Sequence, residues 1–326
     1  MSISLSLFLM AAQATTGSGA KPCSPAVYKA LTAPAAKAER QFNLNCSITL
    51  RRGDSMPRRL VIKGARASGV SIDCNGGAIG YPGIKASRAA PTVAIWSQQT
   101  GPSSWSRPTD ITIRRCHIYG AVRLWGIGVA SIPDQIRESR LRDYTARAQR
   151  AAPTRVTVRD SVIEGNKSIP VYIGPGSTAF TLRDSKIVGN AVAAMYLDAE
   201  SARNRIENNV FDLKVDRTAI AIDGSADNIV TGNVLPLGHQ AGIQLYRNCG
   251  ERGVIRHQAP RGNRITNNRF VGDMPGARAV MENARSTLKR KPGYCGQDAG
   301  YSFGSSANDG DNAANNTIQS NRIVKR

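Results

Sequence analysis

The sequence predicts an all-β chain wound into a parallel β-solenoid. Three observations carry that prediction: a short phrase recurs, apolar residues alternate within it, and a small polar residue keeps one place in it. The phrase Val158-Arg159-Asp160-Ser161-Val162-Ile163 returns as Leu182 to Ile187, as Ile206 to Phe211 and as Val230 to Leu235. Ser161, Ser185, Asn209 and Asn233 mark a constant step of 24 residues. Further copies at Ile113 to Ile118, Ile265 to Phe270 and Ile318 to Ile323 stand at longer intervals. Repeats of this length build stacked units, each too thin to bury its apolar side alone.

Each slot of the phrase has a physical role. Val158, Leu182, Ile206, Val230, Ile265 and Ile318 share one apolar slot, and Ile163, Ile187, Phe211, Leu235, Phe270 and Ile323 share another. Alternation with β-branched residues, broken by Gly and Asn, argues for short strands and turns. Stacked at about 4.8 Å per rung, such coils enclose a continuous core. Between the apolar slots lie Cys116, Ser161, Ser185, Asn209, Asn233, Asn268 and Asn321. That slot reads as an internal ladder, hydrogen-bonded from rung to rung at a bend. Over residues 43–326 the phrases resemble the right-handed parallel β-helix repeats of the pectate-lyase-like superfamily. The resemblance implies a right-handed parallel β-helix. It does not choose a reaction, because the superfamily includes lyases, hydrolases, epimerases, depolymerases and proteins without catalysis.

In chain order, residues 1–14 run apolar from Ile3 to Ala12 and end Ala12-Gln13-Ala14. This is the pattern of a signal peptide cut after Ala14, with a periplasmic or secreted product. Residues 15–42 are expected to form a cap, with a short helix at Ala26 to Leu31 or Ala35 to Gln41. A cap covers the core and strand edge that a first rung exposes. The first strands are expected within Asn43 to Leu50 and Leu60 to Ile72, and Asp73 reads as a turn residue. Six cysteines suit export. The expected bridges are Cys249–Cys295 and Cys46–Cys74, with Cys116 a small buried residue in the ladder. No later segment is long and apolar enough for a membrane span.

Four segments leave the plain coil. Pro91 to Ser106, with Trp96 and Trp105, is expected to be a loop. Ile132 to Thr154 is rich in arginine (Arg137, Arg140, Arg142, Arg147, Arg150) and is expected to project from one turn. Asn248 to Gly262 and Pro275 to Asn312 are the others. Insertions on one side of a solenoid build its binding face. The net charge of +21 and pI near 10.3 call for an acidic partner. The charges are scattered over many turns and no nucleic-acid module is present, so the expected partner is an acidic polysaccharide, not nucleic acid.

A second strand precedes each phrase, and its outward residues form two columns. Arg123, Tyr172, Tyr196, Ala221 and Gln244 make one. Trp125, Gly174, Asp198, Asp223 and Tyr246 make the other, with Glu282 continuing it. Both are expected to be exposed. Aromatic faces stack on sugar rings, while carboxylates, amides and arginines bind hydroxyls and uronates. Asp198 and Asp223, one rung or about 5 Å apart, suit a retaining glycosidase pair. With Glu200 they suit a Ca²⁺ site, the one cofactor the residues suggest. Downstream, Arg247 or Arg256 suits neutralisation of a uronate carboxylate, and Tyr246 or His257 suits proton transfer in β-elimination. The adjacent Asp pair and Gly-His-Gly of polygalacturonase-like members are absent, as is the Asp-Pro-His-Asp of alginate epimerases. The sequence therefore points to binding and β-eliminative cleavage of an acidic polysaccharide. Hydrolysis by Asp198 and Asp223, and glycan binding without catalysis, stay open.

Overall fold

The computed structural model describes residues 19–34, 41–87, 89–127, 132–248, 253–285 and 313–325. The expected signal peptide and the Cys249–Cys295 bridge lie outside them. The chain is a right-handed parallel β-helix with three strand-bearing faces. One face is a 9-stranded parallel sheet from Ile48–Thr49 to Thr317–Gln319. The other two join as a 15-stranded sheet, because Lys186–Leu197 and Val210–Asp223 run through the corner without a break, over 12 and 14 residues.

Register follows the repeat. Val158 pairs with Leu182, Leu182 with Ile206, Ile206 with Val230, Val230 with Ile265, and Ile265 with Ile318. As far as Ile265 and Phe270 the two apolar slots face inward and merge into one core that begins at Leu31, whereas Ile318 and Ile323 of the last rung are exposed. Parallel strands need this, since a one-residue slip would turn every core residue to the outside.

The polar slot is the expected ladder. The Ser161 amide donates to Ser185 Oγ at 3.2 Å, Ser185 to Asn209 Oδ1 at 3.0 Å, and Asn209 to Asn233 Oδ1 at 2.9 Å. Asn233 and Asn268 continue it to Asn321, each at 3.0 Å. The residue before each rung bends left-handed: Asp160, Asp184, Asn208 and Asn267 have φ of 51°, 50°, 56° and 57°. Asp, Asn and Gly tolerate that conformation best. At Gly232 (φ 69°) a β-carbon would also lie 2.4 Å from Asn208 Oδ1. A second ladder at another corner links Phe180, Asn204, Asn228, Asn263 and Asn316, at 2.9 to 3.1 Å. Sequence reading missed it, although these asparagines follow the same period.

Helix α1 (Pro25–Thr32) closes the N-terminal end, with Ser24 at its N-cap and Leu31 buried. Asp73 is the expected turn residue and accepts from the Asn75 amide at 3.0 Å. The expected Cys46–Cys74 bridge is corrected: Cys46 pairs with Cys23 in the cap, and Cys74 with Cys116 in the ladder. The reason is register. Ile48 lies opposite Ile72, so Cys74 runs past Cys46 and stands beside the Arg114 rung, next to Cys116.

Two other expectations change. Val93–Trp96, expected in a loop, is a rung strand paired on both sides, and only Gln98–Gly101 and Ser104–Ser106 leave the coil, as an antiparallel hairpin. The arginine-rich insertion does not project. It forms α2 (Ile132–Ser139) and α3 (Tyr144–Ala151), folded back on the coil, with Tyr144, Ala148 and Ala151 buried beside Ile127 and Trp105. Among the described residues no helix is long and apolar enough to cross a membrane.

Asn233 accepts from both nitrogens of Asn209 and donates to Ile206 O, Thr231 O and Asn268 Oδ1. Asn233→Ala strands several buried partners and is expected to cost about 3 kcal/mol, read by denaturant unfolding. A cost below about 1 kcal/mol would mean that the ladder contributes little beyond shape.

Candidate functional site

The two outward columns form as expected. Arg123 lies opposite Tyr172, Tyr172 opposite Tyr196, Tyr196 opposite Ala221, and Ala221 opposite Gln244. Asp223 lies opposite Tyr246, and Asp198 follows Leu197, which lies opposite Ile222. Trp125, Tyr172 and Tyr196 stack in sequence, with centroids 5.4 and 5.6 Å apart. The Arg123 guanidinium lies 4.5 Å over the Tyr172 ring, and Gln244 donates to Gln240 Oε1. Glu282 does not continue the column. The last strand is one residue out of the expected register, with Met281 opposite Gln244, and Glu282 accepts instead from Asn316 at 2.6 Å.

The columns are covered, not exposed. Asp198 is 6% exposed, and Asp223 and Tyr246 are 0% exposed. The cover is α2, α3 and residues 253–258, and Glu200 holds it down. Its carboxylate accepts from the His257 amide at 2.8 Å, from the Gln258 amide at 3.2 Å and from the Thr145 hydroxyl. Gln149 donates to Glu200 O at 2.9 Å, and the Ser139 hydroxyl accepts from the Ile255 amide at 2.9 Å. His257 belongs to this cover: Nε2 lies 2.7 Å from Ser139 O and its ring 5.4 Å from that of Tyr144. Arg247 donates to His257 O at 3.2 Å. Sequence adjacency suggested one cluster of Tyr246, Arg247 and His257. Arg247 and His257 tie down the covering segment, while the Tyr246 hydroxyl joins a different group.

That group has two parts. In the first, Arg256 Nη1 bridges Asp198 Oδ1 at 2.9 Å and Asp223 Oδ2 at 3.3 Å. The Tyr172 hydroxyl also donates to Asp198, and the Ala199 amide donates to it at 2.8 Å. Asp223 accepts from Asn248 N at 2.8 Å, from Asn248 Nδ2 at 2.6 Å and from the Tyr196 hydroxyl at 2.5 Å. Burial raises the Asp223 pKa, Arg256 pulls against the rise, and Asp198 adds to it. The expected Ca²⁺ set does not assemble. A guanidinium bridges the two aspartates, Glu200 faces the cover, and no group of three metal-ligating side chains occurs among the described residues.

In the second part, the Tyr246 hydroxyl lies 2.9 Å from Arg217 Nη2, 3.4 Å from Arg285 Nη2 and 3.4 Å from the Tyr196 hydroxyl. The Arg285 guanidinium lies 4.2 Å over the Tyr246 ring. Two cations beside a phenol favour its ionisation. Burial is the larger effect, and it raises the pKa of Tyr246 and of Tyr196 above the usual phenol value. Both phenols are therefore proton donors at neutral pH. Sequence reading missed Arg217 and Arg285. Arg217 sits at the corner where Val210–Asp223 gains a residue against its neighbour, so alternation no longer tells which way it points. Arg285 lies beyond the last aligned strand.

Arg256→Ala leaves two buried carboxylates without their shared cation and is expected to cost about 3–5 kcal/mol at neutral pH. Asp223 has a raised folded pKa, so the folded state takes up the proton first. Its contribution to stability improves as pH falls through that pKa towards the unfolded value of about 4 and worsens as pH rises. The deficit of the variant should therefore shrink on acidification within that window, measured by thermal unfolding across pH. A deficit that stays constant would show that Arg256 acts by packing instead.

The family model described as right handed beta helix region matches residues 101–270. No curated protein matches the chain. Among solved structures the chain is similar to the A-module of a mannuronan C-5 epimerase of Azotobacter vinelandii, at 12% identity and a TM-score of 0.46, over 86% of this chain and 68% of that one. It is similar to a lacto-N-biosidase from Eubacterium ramulus at 10% identity and 0.44, over 87% of this chain and 49% of the other. PfbA, a surface adhesin of Streptococcus pneumoniae, stands at 12% and 0.40, over 87% and 70%. Likenesses at this level extend no chemistry to the present chain. The family match takes in more than half of the sequence, and the chain belongs to the right-handed β-helix family.

Proposed function

We propose that the protein is a carbohydrate-active β-helix protein that acts on an acidic glycan in an oxidising compartment outside the cytosol, with Tyr246 as proton donor in a β-elimination. The observation that carries this reading is the convergence of Arg217, Arg285 and the Tyr196 phenol on the Tyr246 hydroxyl. Eliminating a uronate needs a cation at its carboxylate, a base at C5 and an acid at the leaving oxygen. Arg217 and Arg285 serve the first need. Tyr246, kept protonated by burial, serves the third. Tyr196 serves the second: its oxygen takes the C5 proton as its own proton passes to Asp223 Oδ2, which burial has made a better acceptor. The C4–O bond breaks, Tyr246 protonates the departing oxygen, and a C4–C5 double bond remains. Asp198 and Arg256 hold Asp223 in place. The disulfides Cys23–Cys46 and Cys74–Cys116 suit an exported protein.

A glycosidase pair is less well supported, because Asp198 and Asp223 share Arg256 beneath the cover. Glycan binding without turnover is favoured by one observation, the full burial of Tyr246 and Asp223.

The test is an ultraviolet assay for unsaturated uronate across a panel of acidic polysaccharides. At least one should give product. Tyr246→Phe should abolish turnover and leave binding within about tenfold, or 1.4 kcal/mol. An active Tyr246→Phe enzyme would remove Tyr246 from the mechanism. Binding without product on any substrate would replace elimination with the non-catalytic reading.

A further inference from the structure

Helix α3 has two working faces. Thr145 and Gln149, one turn apart, seal the covered columns through Glu200 and Gln258. Arg147, Arg150 and Ala151 face the other way, towards the hairpin that carries Trp105. Between them lies a cleft of about 240 Å³, lined by Ser103, Trp105, Ile127, Glu138, Arg147, Arg150 and Ala151. Its walls are tied together: Arg137 donates to Pro102 O at 2.9 Å, Ser103 to Glu138 Oε1 at 2.8 Å, and Arg107 to Gln149 O at 2.7 Å.

The charges of the cleft are unequal. Glu138 is buried, and both its oxygens are engaged, Oε1 by Ser103 and Oε2 by Arg147 Nε at 2.6 Å. Arg147 meets it through Nε, and its Nη groups have no partner among the described residues. Arg150 is 67% exposed and reaches Asp143 at only 3.9 Å, a pair weakened by solvent. The half-exposed Trp105 indole packs on the apolar cluster of Ile127, Tyr144, Ala148 and Ala151. The cleft thus combines an aromatic platform, apolar backing and available guanidinium groups. At this volume it falls below the roughly 300–1,000 Å³ of pockets for drug-sized ligands, which suits one ring and not an oligomer.

We propose that this cleft binds a single carboxylated sugar residue, its ring stacked on Trp105 and its carboxylate held by Arg147 and Arg150. The class of sugar rests on the acidic-glycan reading of the protein. The elimination by Tyr246 is not required, because the cleft lies on the opposite side of α3.

The test titrates the full chain with trisaccharides of galacturonate, mannuronate and glucuronate, and with a neutral galactose trisaccharide, following tryptophan fluorescence and calorimetry. At least one uronate trisaccharide should bind, and the neutral one should bind at least about tenfold more weakly. Trp105→Ala and the surface variant Arg150→Glu should each weaken uronate binding by about tenfold or more, and Tyr246→Phe should not. No binding at millimolar ligand, equal binding of charged and neutral trisaccharides, or native affinity in Arg150→Glu would each overturn the site. Uronate binding that depends on Arg150 in a protein that never yields unsaturated product would sink the elimination and leave this site standing.

Discussion

Each rung of this β-helix is kept in phase by a side chain that does the work of backbone. At the corner marked by Ser161, Ser185, Asn209, Asn233, Asn268 and Asn321, the main chain turns through a left-handed residue and leaves an amide without a sheet partner. The side chain of the next rung accepts from that amide. In the asparagine rungs the same oxygen also accepts from the side-chain amide above it. A buried donor left unpaired is costly, so only one register satisfies the stack. Parallel strands with short segments have weak local preference of their own, and this repeated constraint supplies what they lack.

Once register is set, the outward columns follow. Tyr172 and Tyr196 stack because they lie opposite each other in register, and the Trp125 ring, two residues beyond Arg123, stacks on Tyr172 from the rung before. Asp198 and Asp223 are brought together for the same reason, and there the arrangement is unfavourable by itself. Two carboxylates removed from water repel and lose hydration. Arg256 answers both problems at once, and Asn248, Tyr172, Tyr196 and the Ala199 amide complete their hydrogen bonds. Such a network is stable only when complete. It therefore ties the folding of the cover to the face beneath it, through a residue, Arg256, that belongs to the cover.

The cover changes the chemistry available. An exposed column of aromatics and carboxylates would be a glycan platform along its length. Beneath α2, α3 and residues 253–258, most of that column is interior. At one end of the columns Arg217, Tyr196, Tyr246 and Arg285 meet. The face of the cover turned away from the columns contributes its own surface, where Trp105, Arg147 and Arg150 line a cleft.

What the sequence by itself determined was periodic, although the ladder of Asn204, Asn228, Asn263 and Asn316 went unread. The core slots of Val158 and Ile163, the Asn and Ser ladder and the column from Arg123 to Gln244 recur at the rung spacing, and recurrence in sequence becomes stacking in space. The tertiary structure alone decided what is not periodic. Cys74 reaches Cys116, not Cys46, because register counts residues opposite, not coils apart. Glu282 misses its column by a single residue. Arg217 meets Tyr246 only because a corner gains a residue. The insertion from Ile132 to Ala151 occurs once, so no repeat could show where it lies. Its path depends on one buried carboxylate, Glu200, binding amides and a hydroxyl from distant segments.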